Sequence, residues 1–373
     1  MDVPRFPSLE DLMLDPGLRR MISERGGKVG VLDWIVQTNQ DIPVLRHEVV
    51  KNISFSMSKR MANDRGKTLC FRSNNPCEYL PGTEGKFETV CVYNFDSASD
   101  GSMFKALKDL PPVPAPHLKK DWPKSKKDMM YGVSPLIDES FTCRLIEHPN
   151  RENVYWLTLS DDTQHRETFL SDSPNFPGKI WEKWDGELIL DKLNKILGIS
   201  KQVTKLKGMD ERYAKQMEFI FNESTLCLAQ AKILCPKNYV PLPSIDRTKI
   251  FEEELFQTFG IFDSELLLCD DSNIDISTRK EKVALLLRSP KRVSGAGLYY
   301  RPNISLAIFE WADGLLEHDD IPYFIYGEGV AVGKRSSRAL AEGSSQQVSL
   351  QNYVGRRIRF RSDGKYLYVK PAQ

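Results

Sequence analysis

Apolar residues recur at helical spacing near the amino terminus. Leu9, Leu12, Met13 and Leu18 follow a cap-like Ser8/Asp11 pair and predict a short helix that Gly26-Gly27 breaks. Val29 to Val36 offers a second apolar segment, and Val44, Leu45, Val49, Ile53 and Met57 predict a third helix over 41–61. Residues 1–66 are therefore expected to form a helical cap. From Lys67 the pattern turns to strands: 68–72, 87–95, 140–147 and 153–160 are rich in β-branched, aromatic and other apolar residues. Residues 111–127, dense in proline and lysine, favour extended backbone and predict a linker that interrupts a sheet-containing region of 67–110 and 128–175.

Residues 176–373 are expected to form an α+β carboxy-terminal domain. Leu190, Leu193, Ile196 and Leu197 lie on one helical face. Tyr213, Met217, Ile220, Phe221, Leu228 and Ile233 predict a long helix over 211–234, stopped by Pro236, and 250–259 predicts another. Strands are expected at 262–269, 283–287, 298–300, 304–311 and 323–332, with a loop over 335–347. The chain closes on Arg357-Ile358-Arg359-Phe360-Arg361, a Ser362-Asp363-Gly364 turn and Lys365-Tyr366-Leu367-Tyr368-Val369, which reads as a hairpin. The fold class this implies is α+β, with a helical amino-terminal cap, mostly antiparallel sheets with packed helices, and two domains.

Composition narrows the functional classes. Of 373 residues 40% are hydrophobic and 28% charged, so the chain can bury enough apolar surface to fold. A net charge of +1 excludes attraction to polyanions by bulk charge, so such binding must come from a local patch. No apolar run approaches 18 residues, and Met1-Asp2-Val3-Pro4-Arg5-Phe6 has no signal-peptide pattern. Seven irregularly spaced cysteines without a C-x-x-C pair suit a reducing compartment. The expectation is a cytoplasmic or nuclear protein with no membrane partner.

Local charge supplies the leading functional expectation. Alternation puts Arg357, Arg359 and Arg361 on one strand face, with Arg335, Arg338, Arg356, Lys365 and Lys370 near in sequence. Such a patch contacts phosphates while aromatic side chains stack on bases. It points to a noncatalytic, adaptor-like component of a nucleic-acid or ribonucleoprotein assembly, with RNA and protein subunits of a larger complex as partners. Lys119-Lys120 and Lys124-Ser125-Lys126-Lys127 form a smaller basic run, which reads more simply as a solvated linker. A protein-interaction scaffold, whose basic strand meets an acidic partner, is a further alternative.

A different class is suggested by Lys183-Trp184-Asp185-Gly186-Glu187, which resembles the K-x-D-G motif of covalent nucleotidyltransferases, the superfamily of DNA and RNA ligases and mRNA capping enzymes. The resemblance implies Lys183 as nucleophile on a nucleotide α-phosphate, with ATP or GTP and Mg²⁺ as cofactors. Asp185 belongs to the same motif. Phe262-Asp263-Ser264-Glu265-Leu266 looks like that family's later acidic motif, and Glu328-Gly329-Val330-Ala331-Val332-Gly333-Lys334 resembles its E-G-x-x-x-K segment. The resemblance thus implies Glu265 and Glu328 as carboxylates for metal or ribose.

Other chemistries find no complete set. The five histidines are scattered without metal-ligand spacing, and no dinucleotide, Walker or G-x-S-x-G pattern is present. The acidic pairs Asp161-Asp162, Asp270-Asp271 and Asp319-Asp320 read as solvated turns.

Overall fold

The computed structural model describes residues 7–51, 68–81, 83, 89–92, 116–137, 140–147, 152–161, 166–171, 186–237, 254–256, 259–269, 281–287, 304–309, 329–333, 338–341, 343, 346–363 and 367–371. They fall into two units. The amino-terminal unit spans 1–147 and 153–236, the carboxy-terminal unit 148–152 and 237–373. The class is α+β, with sheet predominating.

In the amino-terminal unit, helix α1 (Pro16–Arg25) starts later than the Ser8/Asp11 pair suggests. Ser8 and Asp11 close a turn of their own, with Asp11 Oδ2 accepting from Ser8 N at 2.8 Å. Asp15 is the cap that the helix uses: its Oδ1 accepts from Gly17 N at 2.7 Å, with Pro16 opening the first turn. Gly26 ends α1 at φ +87, where a Cβ would meet Asn74 O at 1.8 Å, so only glycine fits. Helix α2 (Val29–Thr38) follows and buries Val31, Leu32, Trp34 and Ile35.

The expected third helix over 41–61 is not formed at 48–51, which is strand β1 (Glu48–Lys51). The β-branched pair Val49-Val50 finds a ladder on β4 (Met130–Pro135), and that pairing outweighs a local helical pattern. With β2 (Leu69–Ser73) and β3 (Thr89–Val92) these strands form an antiparallel sheet in the order β1-β4-β2-β3. Within the Pro/Lys-rich stretch, Leu118 is fully buried and Trp122 is 4% exposed.

A second, five-stranded antiparallel sheet has the order β7-β6-β5-β8-β9. Its strands are β5 (Phe141–Glu147), β6 (Tyr155–Ser160), β7 (Arg166–Leu170), β8 (Tyr213–Phe221) and β9 (Leu226–Pro236). Here the long helix expected over 211–234 is overturned: the segment is a hairpin. Its turn is held by Asn222, whose Oδ1 accepts from Thr225 N at 2.8 Å and Ser224 N at 3.2 Å. Met217 and Phe219 alternate with Gln216 and Glu218, the period of a strand rather than a helix. Pro43 to Leu45 add to the β9 edge through Leu45 N to Leu228 O and Leu228 N to Pro43 O, each 2.8 Å. Helix α3 (Gly186–Thr204) packs against β8, burying Leu193 and Ile196 of the expected face together with Ile189 and Val203, while Leu190 and Leu197 are half-buried.

The carboxy-terminal unit is built on a nine-stranded sheet of order β10-β14-β13-β12-β11-β17-β18-β15-β16. Its strands are β10 (Glu254–Phe256), β11 (Phe259–Cys269), β12 (Val283–Leu287), β13 (Ile304–Phe309), β14 (Gly329–Gly333), β15 (Arg338–Ala341), β16 (Gln347–Ser349), β17 (Arg357–Asp363) and β18 (Leu367–Pro371). Strands β11 to β14 run parallel, and the expected carboxy-terminal hairpin is β17–β18. Two expectations are corrected. Residues 254–256, assigned to a helix, pair with β14, and 338–341, assigned to a loop, pair with β16 and β18. Strand β10 is a sheet edge and β15 lies between β16 and β18; strands of three and four residues carry little local signal. Leu266, Ala284, Leu286, Ile308, Leu350, Ile358, Phe360 and Val369 form one buried core.

No helix among the described residues is long and apolar enough to cross a membrane.

Candidate functional site

A row of partly buried charged and polar residues crosses the amino-terminal unit. The register of β5, β8 and β9 aligns Arg144, Glu218 and Gln230 in one row across the five-stranded sheet, extended by Thr158 on β6. The next row on the same face holds Ile146, Gln216 and Lys232. Arg72, on β2 of the four-stranded sheet, reaches Glu218: its Nη2 donates to Glu218 Oε2 at 2.9 Å. Arg144 Nη2 lies 3.8 Å from the other oxygen, Oε1. One carboxylate thus serves two guanidinium groups drawn from two sheets.

These groups are partly withdrawn from water. The side chains of Arg72, Arg144 and Glu218 are 17%, 16% and 13% exposed. Lys232 and Gln216 are 3% and 5% exposed. Gln216 Oε1 is buried and has no hydrogen-bond partner among the described residues. Such an acceptor, left unmatched, costs about 1–3 kcal/mol.

A neighbouring network joins the same region. Lys28, at the start of α2, donates from Nζ to Ser73 Oγ at 3.2 Å and pairs with Glu78 Oε2 at 2.6 Å. Glu78 Oε1 accepts from Asn75 N at 2.8 Å, and Asn75 Oδ1 accepts from Met130 N at 3.1 Å. Asn74 Oδ1 accepts from Lys28 N and Val29 N at 3.0 and 2.9 Å, which ties the α1–α2 corner to the end of β2. His47 senses both groups of charges. Its pKa falls from 6.5 to about 4 because burial disfavours the charged ring and because Arg72 and Lys28 repel a further proton. The imidazole is neutral at pH 7.

Arg72, Arg144 and Lys232 thus share one partly buried layer with the carboxylate of Glu218, and each also has interactions beyond these contacts. Stability does not account for this arrangement. A pair of unit charges 4 Å apart gains about 4 kcal/mol at an effective dielectric of 20, whereas desolvation costs several kcal/mol per ion, and apolar replacements of buried pairs are often neutral or better. Partly buried cations open to a little solvent are candidates for contact with an anion.

The residues expected from sequence are distributed differently. Arg356, Arg357, Arg359, Arg361 and Lys370 are all exposed, while Ile358, Phe360 and Val369 are buried. The expected alternation on the hairpin therefore holds. Arg359 pairs in register with Lys370, and the Arg361 guanidinium lies 5.7 Å from the centre of the Tyr368 ring. Strand β11 also sets Asp263 opposite Arg359 and Glu265 opposite Arg357 in register. Arg338 opens β15. Arg335 and Lys365 lie outside the described residues, as do Lys183, Asp185 and Glu328 of the nucleotidyltransferase resemblance. Glu265, its remaining member, is half-buried in β11. Among the described residues no group of three or more His, Cys, Asp or Glu side chains is arranged to hold a metal ion.

Sequence reading missed the buried cluster. The available signal was a charged residue inside an otherwise apolar strand run, as in Leu69-Cys70-Phe71-Arg72 and Cys143-Arg144-Leu145-Ile146. Glu218 and Lys232 carried the same mark but fell within a segment assigned to a helix.

No protein-family model matches the chain, and no curated protein matches it. Among solved structures, the D-alanine-D-alanine ligase of Helicobacter pylori is similar at 9% identity and a TM-score of 0.33, over 57% of this chain and 54% of that one. A carboxyaminoimidazole ribonucleotide synthase from Aspergillus clavatus, complexed with ATP, is similar at 13% identity and a TM-score of 0.32, over 57% and 46%. The VanG D-Ala:D-Ser ligase of Enterococcus faecalis is similar at 8% identity and a TM-score of 0.33, over 59% and 55%. The chain spans about half the length of these structures. At such TM-scores the likeness assigns this chain neither a shared fold nor an activity.

Proposed function

We propose that the amino-terminal unit binds a nucleoside polyphosphate on the Arg72, Arg144, Glu218 and Lys232 cluster. The observation that carries this reading is the gathering of Arg72, Arg144 and Lys232 with Glu218 in a partly buried layer, beside a histidine that Arg72 and Lys28 help to keep neutral. Phosphate oxygens form charge-assisted hydrogen bonds with such cations. The buried Gln216 Oε1 asks in addition for a donor, which a nucleotide carries on its base and sugar. Cations gathered around a phosphate also favour the charge that develops during its transfer, so the reading extends to an enzyme that consumes the nucleotide.

Calorimetric titration of the full chain with Mg·ATP tests this reading. Saturable binding is expected, weakened about 10- to 100-fold by Arg144→Met or Lys232→Met, the worth of one charge-assisted bond. A folded protein that binds neither ATP nor GTP at millimolar concentration contradicts it, as do variants that bind like the parent. Labelling with α-³²P nucleotide separates noncovalent use from nucleotidyl transfer, since the latter leaves an adduct that Lys183→Ala abolishes.

A second reading concerns the carboxy-terminal unit and is favoured by the common exposed face of Arg357, Arg359, Arg361 and Lys370. Such an exposed row of cations suits weak contact with RNA in an adaptor-like role within a larger assembly. Salt-sensitive retention of single-stranded RNA, lost when the three arginines become alanine, is the expected result. Recovery of acidic proteins without RNA would favour a scaffold instead. The free thiols of Cys77, Cys143 and Cys227 support a reducing compartment, cytoplasm or nucleus, for either reading.

A further inference from the structure

A cavity of about 460 Å³ opens in the amino-terminal unit, beyond the Glu78 network. Trp122 and Met130, 4% and 5% exposed, line it together with Pro76 and Pro123. The ammonium-bearing side chains of Lys51, Lys124 and Lys127, all exposed, stand on its polar side.

The two carboxylates on the wall are engaged locally. Asp121 Oδ2 accepts from Leu9 N at 3.3 Å, and Asp128 Oδ2 accepts from Ser125 Oγ at 2.8 Å. Neither Lys124 nor Lys127 makes an ion pair with a described residue. The cavity therefore joins an apolar, aromatic lining to cationic side chains, and its volume is ample for a single small ring system with one acidic substituent.

We infer that this cavity binds a small organic anion made of one flat ring system and a phosphate or carboxylate group. The ring packs on Trp122 and the prolines, and Lys124 and Lys127 meet the charge. Free mononucleotides and aromatic carboxylates share this chemistry. The inference stands apart from the Arg72–Glu218 cluster and does not depend on it.

The full chain labelled with 5-fluorotryptophan supplies the test. It contains six tryptophans, and the ¹⁹F resonance missing from Trp122→Phe identifies the reporter. Titration with AMP and, separately, with 4-hydroxybenzoate is expected to shift that resonance saturably for at least one of them, which also tells the two ligand sources apart. Ribose 5-phosphate, without a flat ring, and nicotinamide, without a charge, are expected to bind about tenfold more weakly or worse. The exposed double variant Lys124→Gln/Lys127→Gln is expected to weaken binding about tenfold, whereas Lys232→Met leaves it unchanged. No shift with either anion at millimolar concentration overturns the inference. So does equal binding by the double variant or by ribose 5-phosphate.

Discussion

In the amino-terminal unit the guanidinium groups of Arg72 and Arg144 are 17% and 16% exposed and share the carboxylate of Glu218. In the carboxy-terminal unit Arg357, Arg359 and Arg361 stand in solvent on a sheet face, with Asp263 and Glu265 across the ladder from two of them. The side-chain chemistry is the same, but the surrounding medium is not. Water screens the exposed row and makes each contact weak and salt-dependent. Partial burial makes each charge in the cluster costly to leave unmatched, and correspondingly selective for what matches it. Counting arginines along the chain favours the carboxy-terminal row, whereas the physics of burial favours the cluster.

Breaking the comparison at its strongest point means removing Glu218. Glu218→Ala leaves two guanidinium groups facing each other without their shared carboxylate, and is expected to cost about 3 kcal/mol in urea unfolding. A loss below about 1 kcal/mol would mean that water already solvates the cluster as it does the exposed row.

Acid sharpens the contrast next. His47 has a folded pKa of about 4 against 6.5 when unrestrained. Between those values the unfolded chain takes up a proton that the folded chain refuses, so stability is intact above pH 6.5 and falls as the pH drops toward 4. The loss is on the order of 2–3 kcal/mol. His47→Gln is expected to flatten this part of the stability profile, and an unchanged profile would show that His47 is solvated like a surface group.

Smaller effects follow. Asn222→Ala removes the acceptor that organises the β8–β9 turn and is expected to cost about 1 kcal/mol, read as a lower urea midpoint with an unchanged slope. Changing Arg357, Arg359 or Arg361 singly to alanine is expected to alter stability by no more than about 0.5 kcal/mol. A larger loss from any of them would erase the distinction between the two regions.

Much of the fold was legible because local pattern and tertiary pairing agree. Helices α2 and α3 form where apolar segments predict them, α3 burying Leu193 and Ile196 while Leu190 and Leu197 stay half-buried, and the β17–β18 hairpin keeps its alternation of arginine outside and Ile358 and Phe360 inside. The β8–β9 segment was misread because Met217, Ile220, Phe221 and Leu228 satisfy helical spacing while Met217, Phe219 and Phe221 also satisfy the period of a strand. Pairing of β8 with β5, some 70 residues earlier in the chain, is what decides between them.

The cluster was illegible for a related reason. Arg72, Arg144, Glu218 and Lys232 lie on four different strands, with no two adjacent in sequence, and only the sheet registers bring them together. A motif search reads neighbours along the chain, so it found the weaker, contiguous row and Lys183 instead.

The most direct measurement of the central claim is the NMR titration of His47 with and without saturating Mg·ATP. An anion seated among Lys28, Arg72, Arg144 and Lys232 offsets the cations that depress this imidazole, so its pKa is predicted to rise from about 4 toward 6.5 when nucleotide is present. A His47 titration curve that nucleotide leaves in place would contradict the assignment of the buried cluster as the phosphate site.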